Sequence, residues 1–157
     1  MKRKLITTVM TMVAIVAAAQ MSAQTLGVDR IFAGDIPKSK NATEILVTGK
    51  PALKLHMDLY HSLIVDSDEV AVREIENAVL GDAAKAESKE VEYRQGRLYF
   101  GIFTFKPASA EPKAPFRYVV FLNQGLSQKN PKSRLSLIYI ESRCDQQYVK
   151  DIITRHK

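Results

Sequence analysis

The sequence predicts an α+β fold in which a mostly antiparallel sheet of four or more strands packs against two main helices. Four β segments follow one another between residues 89 and 141 with short connections, and this spacing favours antiparallel pairing. The main helical patterns lie apart from these strands, which favours α+β over alternating α/β architecture. A length of 157 residues with 46% hydrophobic and 25% charged residues is typical of one globular domain.

Strand patterns recur along the chain. The clearest alternation of apolar and polar residues runs over residues 53–65, and a β-rich run closed by a Gly-Lys-Pro turn precedes it at residues 43–48. Residues 91–93 and 97–105 form a predicted hairpin with Gly96 in its turn. Residues 116–123 and 135–141 complete the predicted strands.

Three segments have helical patterns. Residues 24–35 are expected to form a short helix or an ordered arm. The acidic run at residues 66–69 suits a helix N-terminus, and the apolar stripe that follows leaves Glu76 among the side chains expected to face solvent. The last helix is predicted from Asp145 to the C-terminus.

The N-terminus has the pattern of a secretory signal peptide. Three basic residues at positions 2–4 precede an uncharged apolar run over residues 5–19 and then small residues. The run is shorter than the roughly 20 residues that span a bilayer, which argues against a retained membrane anchor. We expect cleavage after Ala23, with Ala19 as the alternative, and a single domain over residues 24–157. Because Cys144 is the only cysteine, no lipoprotein is expected, and the mature protein is predicted to be periplasmic or secreted.

Half of the net positive charge lies in the predicted leader, so the charge says little about the partners of the mature protein. The formal charge is +6 and the pI about 9.4. Residues 1–23 hold three of the basic and none of the acidic side chains, so 20 basic and 17 acidic side chains remain, a charge of +3. So mild a charge does not favour a nucleic-acid partner.

Known catalytic and cofactor motifs are missing from the sequence. His56, His61 and His156 have no metal-ligand spacing, and the seven glycines form no phosphate-binding loop, so neither metal nor cofactor is expected. The acidic run near residue 66 resembles the start of a calcium loop but lacks the later oxygen ligands, and helix capping is the preferred interpretation. A Cys144–His156 pair leaves a small periplasmic hydrolase as the alternative function.

Aromatic residues point to a binding surface. Ten of the twelve Phe and Tyr residues lie between Tyr93 and Tyr148, and two strands are apolar on both faces. Such strands are either covered by helices on both sides or leave one aromatic face for a partner, a second copy or an apolar ligand. In simple alternation one face of residues 97–105 presents Tyr99, Phe103 and Phe105, and the other presents Leu98, Phe100 and Ile102. The candidate partner-binding residues are Tyr99, Phe103, Phe105 and Tyr118.

Five strand-and-turn motifs stand out along the chain: KSKNATEILVTGK (38–50), LYHSLIV (59–65), GRLYFGIF (96–103), RYVVFLNQ (117–124) and LIYIES (137–142). Together they resemble those of a family of small exported Bacteroidota proteins classed as a domain of unknown function. The resemblance covers most of the mature chain. It implies a bacterial envelope setting and no activity, cofactor or catalytic residue.

The sequence therefore predicts an exported, non-catalytic cell-envelope protein that binds a macromolecular partner or an apolar ligand through a sheet face or groove. A homodimer is compatible with this prediction. The hydrolase with Cys144 and His156 is the alternative.

Overall fold

A computed structural model describes residues 25–127, 129 and 132–155, and these form one antiparallel sheet with helices on both faces. The helices are α1 (Gly27–Ala33), α2 (Lys50–Leu53), α3 (Glu69–Ala83) and α4 (Gln146–Arg155), with 3-10 turns at Ile36–Lys38 and Gln124–Leu126. The strands are β1 (Ala42–Thr48), β2 (Leu59–Asp66), β3 (Ser88–Arg94), β4 (Arg97–Phe105), β5 (Phe116–Asn123) and β6 (Arg134–Ser142). The predicted α+β class is confirmed. The predicted signal peptide lies outside the described residues.

The six strands are ordered β1-β2-β6-β5-β4-β3, and every neighbouring pair is antiparallel. Strands β3 to β6 follow each other as a meander. Helix α3 carries the chain from β2 to the far edge of the sheet, and β6 then fills the place between β5 and β2. The edges of the sheet are consequently β1 and β3.

Helices α1 and α3 cover one face of the sheet, which we call the front face. Its core combines the inward side chains of these helices with those of four strands. The buried strand residues are Leu63, Val65, Leu98, Phe103, Phe105, Val119, Phe121, Leu135, Leu137 and Tyr139. The N-terminus of α1 is fixed to α3 because the buried carboxylate of Asp82 accepts the amide hydrogens of Gly27 at 2.6 Å and Val28 at 3.0 Å.

Helices α2 and α4 lie on the opposite face, the back face. A second, smaller core there contains Ala52, Met57, Ile102, Tyr118, Val120, Ile140 and Val149. Of the two interpretations of the aromatic strands, helical cover on both sides holds for most of β4 and β5, which contribute buried residues to both cores.

Helix α3 begins as predicted, but one of its side chains does not point where its spacing indicates. The Asp68 carboxylate accepts the Ala71 amide hydrogen at 3.1 Å, which confirms the capping interpretation. Glu76, expected in solvent, is only 5% exposed. It pairs with Arg97 at 2.6 Å and accepts the Leu98 amide hydrogen at 3.1 Å, so a partner on β4 replaces the water that it would otherwise need.

The strand predicted over residues 53–65 is wrong in its first half. Pro51 lies in the first turn of α2, a position where its fixed φ and missing N–H are tolerated. His56 then has a φ of 55°, which breaks any extended run, and Met57 turns into the back-face core. Strand β2 begins only at Leu59. Apolar and polar residues alternate along this helical turn and loop as they would along a strand.

The β3–β4 hairpin contains a bulge that rearranges the predicted faces. Its turn residues Gln95 and Gly96 have φ values of 52° and 73°, as a two-residue hairpin turn requires. Leu98 pairs with Tyr93 and Phe100 with Glu92, so Tyr99 is an extra residue on β4. Leu98 consequently joins Phe103 and Phe105 in the front core, and its predicted grouping with Phe100 and Ile102 is wrong.

Candidate functional site

A groove on the back face has a mostly apolar lining. It has a volume of about 390 Å³. The lining residues are Tyr60, Phe100, Val120, Leu122, Gln124, Ser136, Ile138, Ile152 and Ile153. We call this site the back-face groove. None of its lining side chains carries a formal charge at neutral pH, so the site suits an uncharged apolar group.

Strand register brings the floor of the groove together. Phe100 on β4 pairs with Leu122 on β5, which in turn pairs with Ser136 on β6, so their side chains share one face in a row across three strands. The neighbouring row contains Val120 and Ile138. All of these residues except Val120 are half-buried.

Helix α4 forms one wall of the groove. Ile152 and Ile153 in the second half of the helix face the groove and remain half-buried. The apolar floor is therefore left open beside them.

Polar contacts attach the first half of α4 to the sheet. The Gln146 Oε1 atom accepts the hydroxyl hydrogens of Ser88 at 2.7 Å and Thr104 at 2.6 Å. The Tyr118 hydroxyl donates to the carbonyl of Cys144 at 2.5 Å, just before the helix. Lys150 pairs with Glu90 at 2.6 Å. These contacts place Ile152 and Ile153 over the groove.

A second concavity, the hairpin cleft, is larger and more polar. It has a volume of about 670 Å³ and is lined by Arg94, Gln95, Tyr99, Leu126, Ser127 and Lys129. The Arg94 guanidinium lies 3.4 Å above the Tyr99 ring and pairs with Glu92 at 2.9 Å. Since its principal cation is already stacked and paired, the cleft is a weaker candidate than the back-face groove.

The four candidate partner-binding residues do not form one surface. Phe103 and Phe105 are buried in the front core, and Tyr118 is buried in the back core. Tyr99 alone is half-buried, and it lines the hairpin cleft. Burial of three of the four rings means that they contact other residues of this chain, and partner binding by this set remains only a prediction.

The groove residues were not among the predicted site residues, because the clustering of Phe and Tyr favoured the aromatic side chains. Leu122 belongs to a strand predicted to be apolar on both faces, Ile138 belongs to the next predicted strand, and Ile152 and Ile153 belong to the last predicted helix. The sequence could have indicated them only if the apolar pattern of the strands was combined with that of the last helix. Their contact depends on tertiary structure, which local periodicity does not contain.

Two buried tyrosines have altered acidity. Burial, followed by the nearby carboxylate of Asp145, raises the pKa of Tyr118. Burial also raises the pKa of Tyr139, as does its hydrogen bond to Glu141 at 2.8 Å. Both phenols are therefore neutral hydrogen-bond donors over the physiological pH range, and neither is poised as a base.

The catalytic alternative gains no geometric support. Cys144 is a half-buried free thiol, and His156 lies outside the described residues, so the pair stays a hypothesis. Within the described residues, no group of three or more His, Cys, Asp or Glu side chains could hold a metal ion. In the same residues no helix has both the length and the apolar character needed to cross a membrane.

Fold and site together define an α+β protein with an open apolar groove between a sheet and its last helix. The chain belongs to a family of unknown function, DUF6108, whose model matches residues 12–153. Searches of curated proteins and of solved structures give no match. The resemblance to a family classed as a domain of unknown function is thereby confirmed, whereas Bacteroidota origin and export remain predictions.

Proposed function

We propose that this protein binds the apolar chain of a small ligand in the back-face groove, without catalysing its conversion. The observation that carries the proposal is the set of half-buried apolar side chains, Leu122, Ile138 and Ile152, around an opening of about 390 Å³. Small-ligand sites typically measure about 300 to 1,000 Å³ and combine apolar walls with a few polar groups.

Polar groups in the groove fit this role. Gln124 and Ser136 lie among the apolar lining residues, and the Tyr60 phenol supplies one further hydroxyl. Such groups orient a ligand by hydrogen bonds without demanding a charge on it. An alkyl chain with an uncharged or distant polar end is the ligand class that matches the lining best.

Export is the second part of the proposal. The basic residues at positions 2–4 and the uncharged run over residues 5–19 support a cleaved leader. We propose a periplasmic or secreted protein of the cell envelope, where apolar chains from lipids are abundant. N-terminal sequencing of the protein from cells that express the full-length gene tests this: we expect a start at Gln24 or Gln20, and an intact Met1 would contradict it.

Binding is tested with N-phenylnaphthylamine, an uncharged apolar fluorophore, and with alkyl chains that displace it. Leu122→Arg places a charge in the floor of the groove, and we expect binding about tenfold or more weaker. Val70→Arg is the matched control, because Val70 is 78% exposed on α3, away from the groove. Absence of saturable binding, or equal binding by both variants, would contradict the proposal.

A further inference from the structure

The two edges of the sheet differ in how they discourage pairing with another strand. Edge strand β3 carries the charged residues Lys89, Glu90, Glu92 and Arg94 within seven residues. Glu90 and Glu92 are held in ion pairs with Lys150 and Arg94. Charges of this kind are a common protection of edge strands against pairing.

Strand β1 has no such protection. Ile45 is 46% and Leu46 59% exposed, and successive residues of a strand point to opposite faces. Glu44 is the only charged residue of the strand, and its Oε1 atom lies 2.6 Å from Nε2 of His61. One side of β1 pairs with β2, and among the described residues no strand pairs with the other side.

We propose that the free edge of β1 pairs antiparallel with β1 of a second copy, which makes the protein a dimer with a continuous sheet. A twofold axis perpendicular to the sheet preserves its faces, so the residues that pair must share a face. Centring the axis on Leu46 places Leu46 opposite its own copy, Ile45 opposite Val47, and Glu44 opposite Thr48. Each apolar side chain then meets another apolar side chain.

Other registers of the same pair are poorer. An axis centred on Ile45 puts the Glu44 carboxylate opposite Leu46. An axis centred on Val47 shortens the ladder, because β1 ends at Thr48 and Gly49 has a φ of 66°. A second copy is thus favoured by the self-complementarity of the strand. The dimer is independent of ligand binding, but it places both back-face grooves on the same side of the extended sheet.

Mass measurement tests the dimer. The protein expressed from the full-length gene is expected to have twice its chain mass in light scattering at micromolar concentration. Leu46→Lys places two lysines directly opposite each other across the twofold axis. Because their like charges repel, we expect dimerisation roughly a hundredfold weaker. Val91→Lys is the matched control on β3, where Val91 is 38% exposed, and it should leave the dimer intact. A monomeric wild type, a dimer that survives Leu46→Lys, or one that Val91→Lys abolishes would overturn the proposal.

Crosslinking tests the register. In a Cys144→Ser background, Leu46→Cys should form an intermolecular disulfide with mild oxidant, because directly opposed antiparallel residues have Cα atoms about 4.5 to 5.5 Å apart. Thr48→Cys should not, because residue 48 faces residue 44 of the other copy. Equal crosslinking at both positions, or none at position 46, would overturn the register. Since both side chains are exposed, folding of the variants should be unaffected.

Discussion

Gly101 owes its identity to one close contact. A Cβ atom at this position would lie 2.5 Å from Cε2 of Phe103, whose ring is buried in the front core. Gly101→Ala should therefore lower the free energy of unfolding by about 2 kcal/mol, since the enclosed ring has little room to move. Urea denaturation measures the change.

Gly81→Ala is a control for which we expect the opposite change in the free energy of unfolding. It lies inside α3 with nothing within 4 Å of an added Cβ. Gly81→Ala should raise the free energy of unfolding by about 0.5 to 1 kcal/mol, because alanine restricts the unfolded chain and favours helix. Equal effects of Gly81→Ala and Gly101→Ala would contradict the assigned contact with Phe103.

Glu76 joins α3 to the β3–β4 hairpin. Its two oxygens accept hydrogens from the Arg97 guanidinium and the Leu98 amide. Glu76→Gln turns an amide donor toward the guanidinium or the amide hydrogen, and we expect a loss of about 2 to 3 kcal/mol in unfolding free energy. Glu69→Gln alters the exposed second carboxylate on Arg97 and should cost less than about 1 kcal/mol. Similar losses in both variants would argue against a buried role for Glu76.

Tyr139 makes the stability sensitive to alkaline pH. Burial and the hydrogen bond to Glu141 raise its pKa in the folded state, whereas an unfolded tyrosine titrates near about 10. The stabilisation is complete below that pH and is lost as pH rises above it, because the unfolded chain releases the proton first. Unfolding free energies at several pH values should fall above about pH 10, and Tyr139→Phe should flatten the decline. Tyr93→Phe, at an exposed ring, should leave the decline unchanged.

At the scale of elements, the two halves of α4 are held differently. The first half has hydrogen bonds to β3 and β4 through Gln146, whereas Ile152 and Ile153 contribute apolar contacts to the groove. Amide hydrogen exchange should accordingly be faster in the second half, and an apolar ligand should slow it there. If amide exchange were equally slow along the whole of α4 and unchanged by ligand, the second half of the helix would not be a wall of the binding site.

Local pattern was a good guide to most elements and failed at two. The apolar stripe of α3 and the continuous apolar run of β5 are properties of neighbouring residues, so the sequence alone predicts them. The bulge at Tyr99 depends on pairing with β3, and the helix at Lys50–Leu53 depends on the burial of Ala52 and Met57. Both corrections come from contacts that a single segment does not reveal.

At the scale of the whole molecule, the site depends on strand order. Periodicity indicates that β4 and β5 are apolar on both faces, but it does not place β6 between β5 and β2. The groove forms where side chains of β2, β4, β5 and β6 meet the second half of α4. Its residues could be assigned only from the assembled sheet.

The most direct test of the groove is a methyl NMR titration with an alkyl chain of octyl to dodecyl length. Isoleucine methyl groups report on both faces in one spectrum: Ile138, Ile152 and Ile153 line the groove, whereas Ile31 and Ile75 lie in the front core. We expect saturable shifts confined to the first three. Shifts centred on the front core, or no saturable shift at any isoleucine, would contradict apolar-ligand binding in the back-face groove.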